Sequence, residues 1–257
     1  MRKLLLIGIF LLLGSTAYSI EQKPVPELPA GSGKVFVYLA KKFGVPILKA
    51  SIKIENGSME QGKPLYQIQA FVDSLHNLGI LFRINNRFTS TLEAETYFPV
   101  RYVKEINQEG LLIGKKNYLQ TFLFDNLNKK IVVEKNDRKE KQEISIPTGT
   151  FDPLSMFAWC YLKEELHPEK DIHMSIYDGV KLRQMVFHPK KEKVKSKMFG
   201  EVEAVCLEST TSFSTFGEKE GTIRIWYTNH GEKIPISMEL ELPVGNIRFE
   251  LESINRS

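Results

Sequence analysis

Two cysteines in 257 residues, Cys160 and Cys206, exclude a fold held together by a disulfide framework. Chemical signatures are also missing. Neither glycine-rich phosphate loop occurs, the dinucleotide type or the Walker type, and there is no Gly-x-Ser-x-Gly elbow. Zinc spacings of the His-Glu-x-x-His or paired Cys-x-x-Cys type are absent, so no metal site and no cofactor are expected. The net charge of +4 is too near neutral to imply nucleic acid as a partner. The longest apolar run, residues 4–13, is ten residues, half of the about 20 that a membrane-spanning helix requires. Hydrophobic residues at 42% and charged residues at 26% exclude collagen, coiled coil and full-length disorder. No internal repeat is visible.

What is present begins with an export pattern. A basic start, Met1-Arg2-Lys3, precedes the apolar run, and residues 14–19 are small and polar with Ala17 and Ser19 at signal-peptidase spacing. Residues 1–19 read as a signal peptide cleaved between Ser19 and Ile20. The remaining chain carries a net +2 and no transmembrane anchor, and is expected in the periplasm or outside the cell. Residues 20–33, with Pro24, Pro26, Pro29, Gly31 and Gly33, read as a tether. Residues 34–254 show no composition break and read as a single curved antiparallel β domain.

Within that domain the dominant period is two. Residues 48–55, 65–72, 222–228, 234–242 and 245–254 alternate apolar and polar side chains and read as half-buried strands. Asn56-Gly57 opens the connection between the first two. The last three form a meander. Residues 190–197 hold five lysines, and pair across Gly200 with 201–207, so that Glu201 and Glu203 can face those lysines. Residues 129–141 are charged and read as a solvated hairpin end or loop. Helical spacing appears at residues 152–166, where Asp152-Pro153 is a strong start and Leu154, Phe157, Ala158, Tyr161 and Leu162 follow. Met156, Trp159 and Cys160 make this helix apolar on most sides, so it must be enclosed. Residues 73–84 read as a second short helix, or residues 81–84 open the next strand instead. The predicted fold is mainly β (α+β): one large curved antiparallel sheet or half-barrel of ten to twelve strands around one buried helix.

Candidate site residues are few. Met156, Trp159, Phe82 and Phe122 are candidates for lining a pocket, though core packing is the ordinary use of such side chains. Lys193, Lys195 and Lys197 could meet an anionic headgroup. Cys160 and Cys206 either pair in an oxidising compartment or remain two separate buried thiols. Asp171 and His173 share a strand face, but two ligands do not make a zinc site. Glu93 with Glu95 and Glu239 with Glu241 lie on solvent faces, where a carboxylate has no reason for a raised pKa.

Three segments in order resemble a known family. They are Phe43-Gly44-Val45-Pro46; Asp152-Pro153-Leu154-Ser155 opening an apolar helix; and Ile225-Trp226 followed by Ile234-Pro235-Ile236 and Gly245. Together they resemble an exported bacterial domain of unknown function, DUF 3108. The turn at Asn229-His230-Gly231-Glu232 is less acidic than that family's usual one. The resemblance implies an exported, curved β-fold and supplies no catalytic residues. Its shape is similar to periplasmic lipoprotein carriers, in which a curved sheet holds acyl chains. The expected function is a non-catalytic cell-envelope protein holding a hydrophobic or lipid-like ligand in the concave face of its sheet. The alternative is a protein-interaction module in envelope assembly or maintenance, with an envelope protein as partner; an enzyme ranks third.

Overall fold

A computed structural model describes residues 33–256, apart from Gln61, Ile80, Leu112, Ile113, Asp137, Lys163, Glu164, residues 214–217 and Val244. The expected signal peptide, its expected Ser19–Ile20 cleavage and all of the expected tether before Gly33 lie outside the described residues. The strands are β1 (Lys34–Lys42), β2 (Val45–Glu60), β3 (Lys63–Ser74), β4 (Phe82–Glu93), β5 (Pro99–Gly110), β6 (Lys116–Asp125), β7 (Lys130–Lys135) and β8 (Arg138–Ser145) in the first half. The second half holds β9 (Thr150–Phe151), helix α1 (Pro153–Leu162), β10 (Ile172–Tyr177), β11 (Leu182–Ser196), β12 (Gly200–Phe213), β13 (Lys219–Thr228), β14 (Pro235–Glu241) and β15 (Ile247–Arg256).

All fifteen strands belong to one sheet, ordered β8 back to β1, then β15 back to β9. Neighbours pair antiparallel except β9 with β10, which α1 connects as a parallel crossover. The chain's first and last strands meet in the middle, Lys34 opposite Arg256 and Lys42 opposite Ile247. The sheet's two edges, β8 and β9, are separated in sequence only by residues 146–149. Such a link reaches about 18 Å at most, whereas fourteen strand spacings in a flat sheet would separate the edges by about 67 Å. The sheet must therefore roll up on itself.

Period two drives the roll. On β1, Phe36, Tyr38 and Ala40 are buried on the concave side while Val37, Leu39 and Lys41 face out. At Phe43-Gly44 both φ angles are positive, +50° and +78°. That makes a two-residue hairpin turn whose twist matches the strands.

Several expectations are corrected. The described residues hold fifteen strands, because residues 99–145 form four further strands whose inward polar positions disguise the alternation. Residues 130–135 and 138–145 pair as β7 and β8, and Ile131 and Val133 are buried, so this stretch is more than a solvated hairpin end. The second helix reduces to one 3-10 turn at His76–Leu78. β3 and β4 pair through Asp73 and Asn85, and the Asn85 amide donates to the Asp73 carboxylate at 2.5 Å. Asn56-Gly57 does not open a turn: β2 passes through a register shift between Asn56 and Met59 and continues to Glu60. The buried helix is described over Pro153–Leu162, and residues 165 and 166 are not helical.

The cap of α1 is the fold's polar keystone. Asp152 Oδ1 accepts the amides of Leu154 at 2.8 Å and Ser155 at 3.1 Å, and the Ser155 hydroxyl accepts the Asp152 amide at 2.9 Å. This is a reciprocal box with Ser at the third helical position. Its outer oxygen, Oδ2, accepts the buried Ser90 hydroxyl of β4 at 2.6 Å. Along the helix, Phe157 packs on Tyr227 of β13 at 6.5 Å, and Tyr161 meets Phe36 of β1 edge-on at 5.3 Å. The helix thus links β4, β1 and β13 across the interior.

Tyr227 is fully buried, and its hydroxyl has no hydrogen-bond partner among the described residues. A buried unsatisfied hydroxyl costs about 1–3 kcal/mol. Tyr227→Phe should therefore hold or raise stability by about 1 kcal/mol. Thermal unfolding of the two proteins checks this; a loss of stability would mean the hydroxyl is satisfied in solution.

Candidate functional site

Antiparallel register sorts the connections onto two rims. The upper rim carries the turns β1–β2, β3–β4, β5–β6, β7–β8, β10–β11, β12–β13 and β14–β15; the lower rim carries the others and the ends Lys34 and Arg256. Helix α1 occupies the lower part. It starts at the level of Ser90, in the lower third of β4, and its Tyr161 hydroxyl donates at 3.3 Å to Glu232 in the lower β13–β14 turn. Ten helical residues span about 15 Å, against about 40 Å for a twelve-residue strand. The upper part of the interior is left to other side chains.

Burial records that division. On β3, Ile68 and Ala70 are buried and Val72 is half-buried; on β4, Leu92 and Ser90 are buried while Phe88, Asn86 and Ile84 are half-buried. Water reaches the concave face from the upper rim.

There the inner face turns polar. Lys104 of β5 lies opposite Gln120 of β6, which lies opposite Lys135 of β7. These three inward positions form one rung across three strands, in phase with the buried Tyr102, Ile106, Phe122 and Val133. The rung floors a groove of about 440 Å³, with Tyr118, Tyr177 and Gln142 beside it and Val133, Ile144 and Val180 on its walls. None of the described lining residues is acidic.

Glycine makes room for the lysine. A Cβ on Gly179, in the β10–β11 turn, would lie 2.9 Å from Lys104 Cδ and Nζ and 3.3 Å from the Phe122 ring. Burial lowers the Lys104 pKa, and nearby Asp178 offsets that in part. Asp178 itself is engaged, accepting the amides of Val180 and Lys181 and the Arg183 guanidinium. Burial, and the Asp178 charge, push the Tyr177 phenol up to about 12, so it stays a neutral donor. Two ammonium groups, amide donors and neutral phenols between apolar walls can hold an anion attached to an apolar body.

The residues singled out in the sequence fall in different places. Phe122 is fully buried on the concave face, stacked on Tyr102 at 5.7 Å and edge-on to Tyr177 at 5.7 Å. Phe82 is half-buried at the upper start of β4, in phase with Ile84 and Phe88. Met156 is buried with its sulfur 3.9 Å from Cys160 Sγ, and half-buried Trp159 packs on Phe151 at 6.1 Å. The two helix residues are packing beneath the open space; the two phenylalanines lie on the face that bounds it.

Lys193, Lys195 and Lys197 line a second groove of about 670 Å³, between the β11–β12 hairpin and β13–β15. The pairing of 190–197 with 201–207 is present, with Lys193 opposite Glu203 and Lys195 opposite Glu201. Glutamates occupy much of that groove's charge. Lys197 pairs with Glu252, Lys41 with Glu250 at 2.6 Å, and Glu192 accepts the Trp226 indole N–H at 2.9 Å.

No disulfide joins Cys160 and Cys206. Cys160 lies in the interior, whereas Cys206 faces outward beside Trp226 and Lys190, on the other side of the sheet. Burial pushes the Cys206 thiol up to about 12, so it is a poor nucleophile. Asp171 pairs with His188 at 2.8 Å rather than acting with His173. Among the described residues no three His, Cys, Asp or Glu converge as a metal site would need.

Lys104, Gln120 and Lys135 are absent from the sequence-based candidates. Their signal is a phase signal: in Tyr102-Val103-Lys104-Glu105-Ile106, the lysine falls on the apolar beat.

Comparison with other proteins places this geometry. No curated protein matches the chain. Among solved structures it is similar to a β-barrel-like protein of domain of unknown function DUF1849 from Brucella abortus. That likeness has a TM-score of 0.57 at 13% identity and covers 87% of this chain and 97% of that one. At that identity it speaks for the fold alone. The model of a family described as a protein of unknown function, DUF3108, matches residues 35–252, nearly the whole sheet, and the chain belongs to that family.

Proposed function

We propose that this chain is a non-catalytic binding protein of the cell envelope. It takes an amphiphile with an anionic headgroup into the open upper half of its rolled sheet. The observation that carries the reading is the Lys104–Gln120–Lys135 rung, a cationic strip facing inward above a plugged apolar floor. The headgroup site is therefore assigned to Lys104 and Lys135 in preference to the glutamate-paired hairpin lysines. Export rests on the basic, apolar and small-residue order of residues 1–19. Among the described residues, no helix is long and apolar enough to cross a membrane.

A protein-interaction module would need no interior opening. Two measurements separate the readings. Native mass spectrometry after gentle purification should show a bound amphiphile at one per chain, and a fluorescent fatty acid should bind the stripped protein saturably. A clean unliganded mass together with no probe uptake would sink the proposal.

A further inference from the structure

The upper rim carries a feature that ligand binding does not use. Phe43 is 81% exposed and Leu111 86% exposed, and Val45, Leu81 and Val180 are exposed beside them. All five belong to upper-rim turns or strand ends, and Val180 also lines the groove. Two are held in place by the backbone. The Phe43 ring lies against Gly245, where a Cβ would come within 2.8 Å of it, and the Leu111 amide donates to the Leu81 carbonyl at 3.1 Å.

Several exposed apolar side chains gathered on one rim can mark a contact surface, and the charges here indicate with what. The Lys42 ammonium lies 5.6 Å from the Phe43 ring centre. Exposed Lys115 and Lys116 follow Leu111, and Lys181 follows Val180. Acidic groups beside these tips are engaged: Asp178 accepts the Val180 amide at 2.8 Å and pairs with Arg183, Glu109 pairs with Arg83 at 3.2 Å, and Glu218 with Lys181 at 3.1 Å. Apolar tips ringed by lysine suit the boundary between acyl chains and anionic headgroups. The lower rim also exposes Leu127 and Phe199. There the Leu127 turn is tied by Asp125, which accepts the Asn128 amide at 2.9 Å, and the helix end and Glu232 close the interior.

We infer that the upper rim docks on a lipid bilayer containing anionic lipid, inserting Phe43 and Leu111 and placing the groove mouth at the membrane surface. Docking of this kind does not depend on what the groove holds.

The test is vesicle co-sedimentation at low salt, using the chain from residue 20. Every described strand and helix lies within 33–256, so this form keeps all of them. Vesicles are phosphatidylcholine alone, or phosphatidylcholine with about a third phosphatidylglycerol, a composition chosen for its surface charge. Binding is expected to the anionic vesicles, and to fall at least tenfold in Phe43→Ser/Leu111→Ser. Lys115→Gln/Lys116→Gln should lose about fivefold per lysine. Leu127→Ser/Phe199→Ser on the lower rim should bind as the parent does. Lys104→Gln should too, because docking precedes any extraction into the groove. No binding to anionic vesicles overturns the inference. So does equal loss from the lower-rim pair, or loss confined to Lys104→Gln.

Discussion

Asp152→Ala should lower the unfolding free energy by about 3–5 kcal/mol, read as a shift in the urea midpoint at unchanged slope. The size follows from what the carboxylate holds. Its removal leaves the Ser90 hydroxyl and the Leu154 and Ser155 amides without their acceptor, all in a site sealed from water. It also frees the start of α1, whose Phe157 and Tyr161 reach β13 and β1. Asp152→Asn should cost far less, about 1 kcal/mol, because one amide oxygen still caps the helix and the Ser90 hydroxyl can reverse its role.

The pair of variants has a pH signature. Burial raises the Asp152 pKa, although four hydrogen bonds pull it down. A carboxyl with a raised folded pKa penalises the folded state while ionised. That penalty is removed as pH falls through the folded pKa toward the ordinary value. The parent should therefore gain stability relative to Asp152→Asn on acidification through that window. Denaturation at neutral and at acidic pH measures it; a gap that moves the other way would mean the hydrogen bonds outweigh burial.

Lys104→Gln/Lys135→Gln should weaken binding of an anionic fatty-acid probe about 100-fold, roughly tenfold for each charge-assisted hydrogen bond removed. A fatty alcohol of equal length should change less than about threefold, since its headgroup interactions are neutral. Fluorescence titration of both probes decides it, and equal losses for the two would show that the lysines support the fold instead. Because burial lowers the Lys104 pKa, the anion should begin to dissociate at a lower pH than ordinary lysines would dictate. Lys104→Gln should remove that step.

The parts of the molecule most legible in sequence are those where one face is apolar and the other polar without interruption. β14 alternates Ile236, Met238 and Leu240 against Ser237, Glu239 and Glu241, which makes its strand evident. The Asp152 helix start is equally clear, because Asp followed by Pro has few other uses. Strands β5 to β8 are harder to read, since Lys104, Gln120, Lys135 and Gln142 interrupt the apolar beat. Those interruptions are the groove, so the same residues that hide the strands define the candidate site. The second helix does not form because Leu75, Leu78 and Phe82 mimic helical spacing across a turn, and long-range pairing of β3 with β4 overrides it.

The seam between β1 and β15 has a consequence for how the chain is made and cut. Each half can zip up from its own neighbouring strands, and residues 247–256 close the sheet between the halves by meeting the first strand. Deleting a few C-terminal residues would thus split the molecule at its centre instead of trimming a border. Conversely, Lys34 and Arg256 lie side by side, so a short linker could fuse them, and new ends opened at an exposed lower turn such as that of Leu127 would yield a circular permutant with the same architecture.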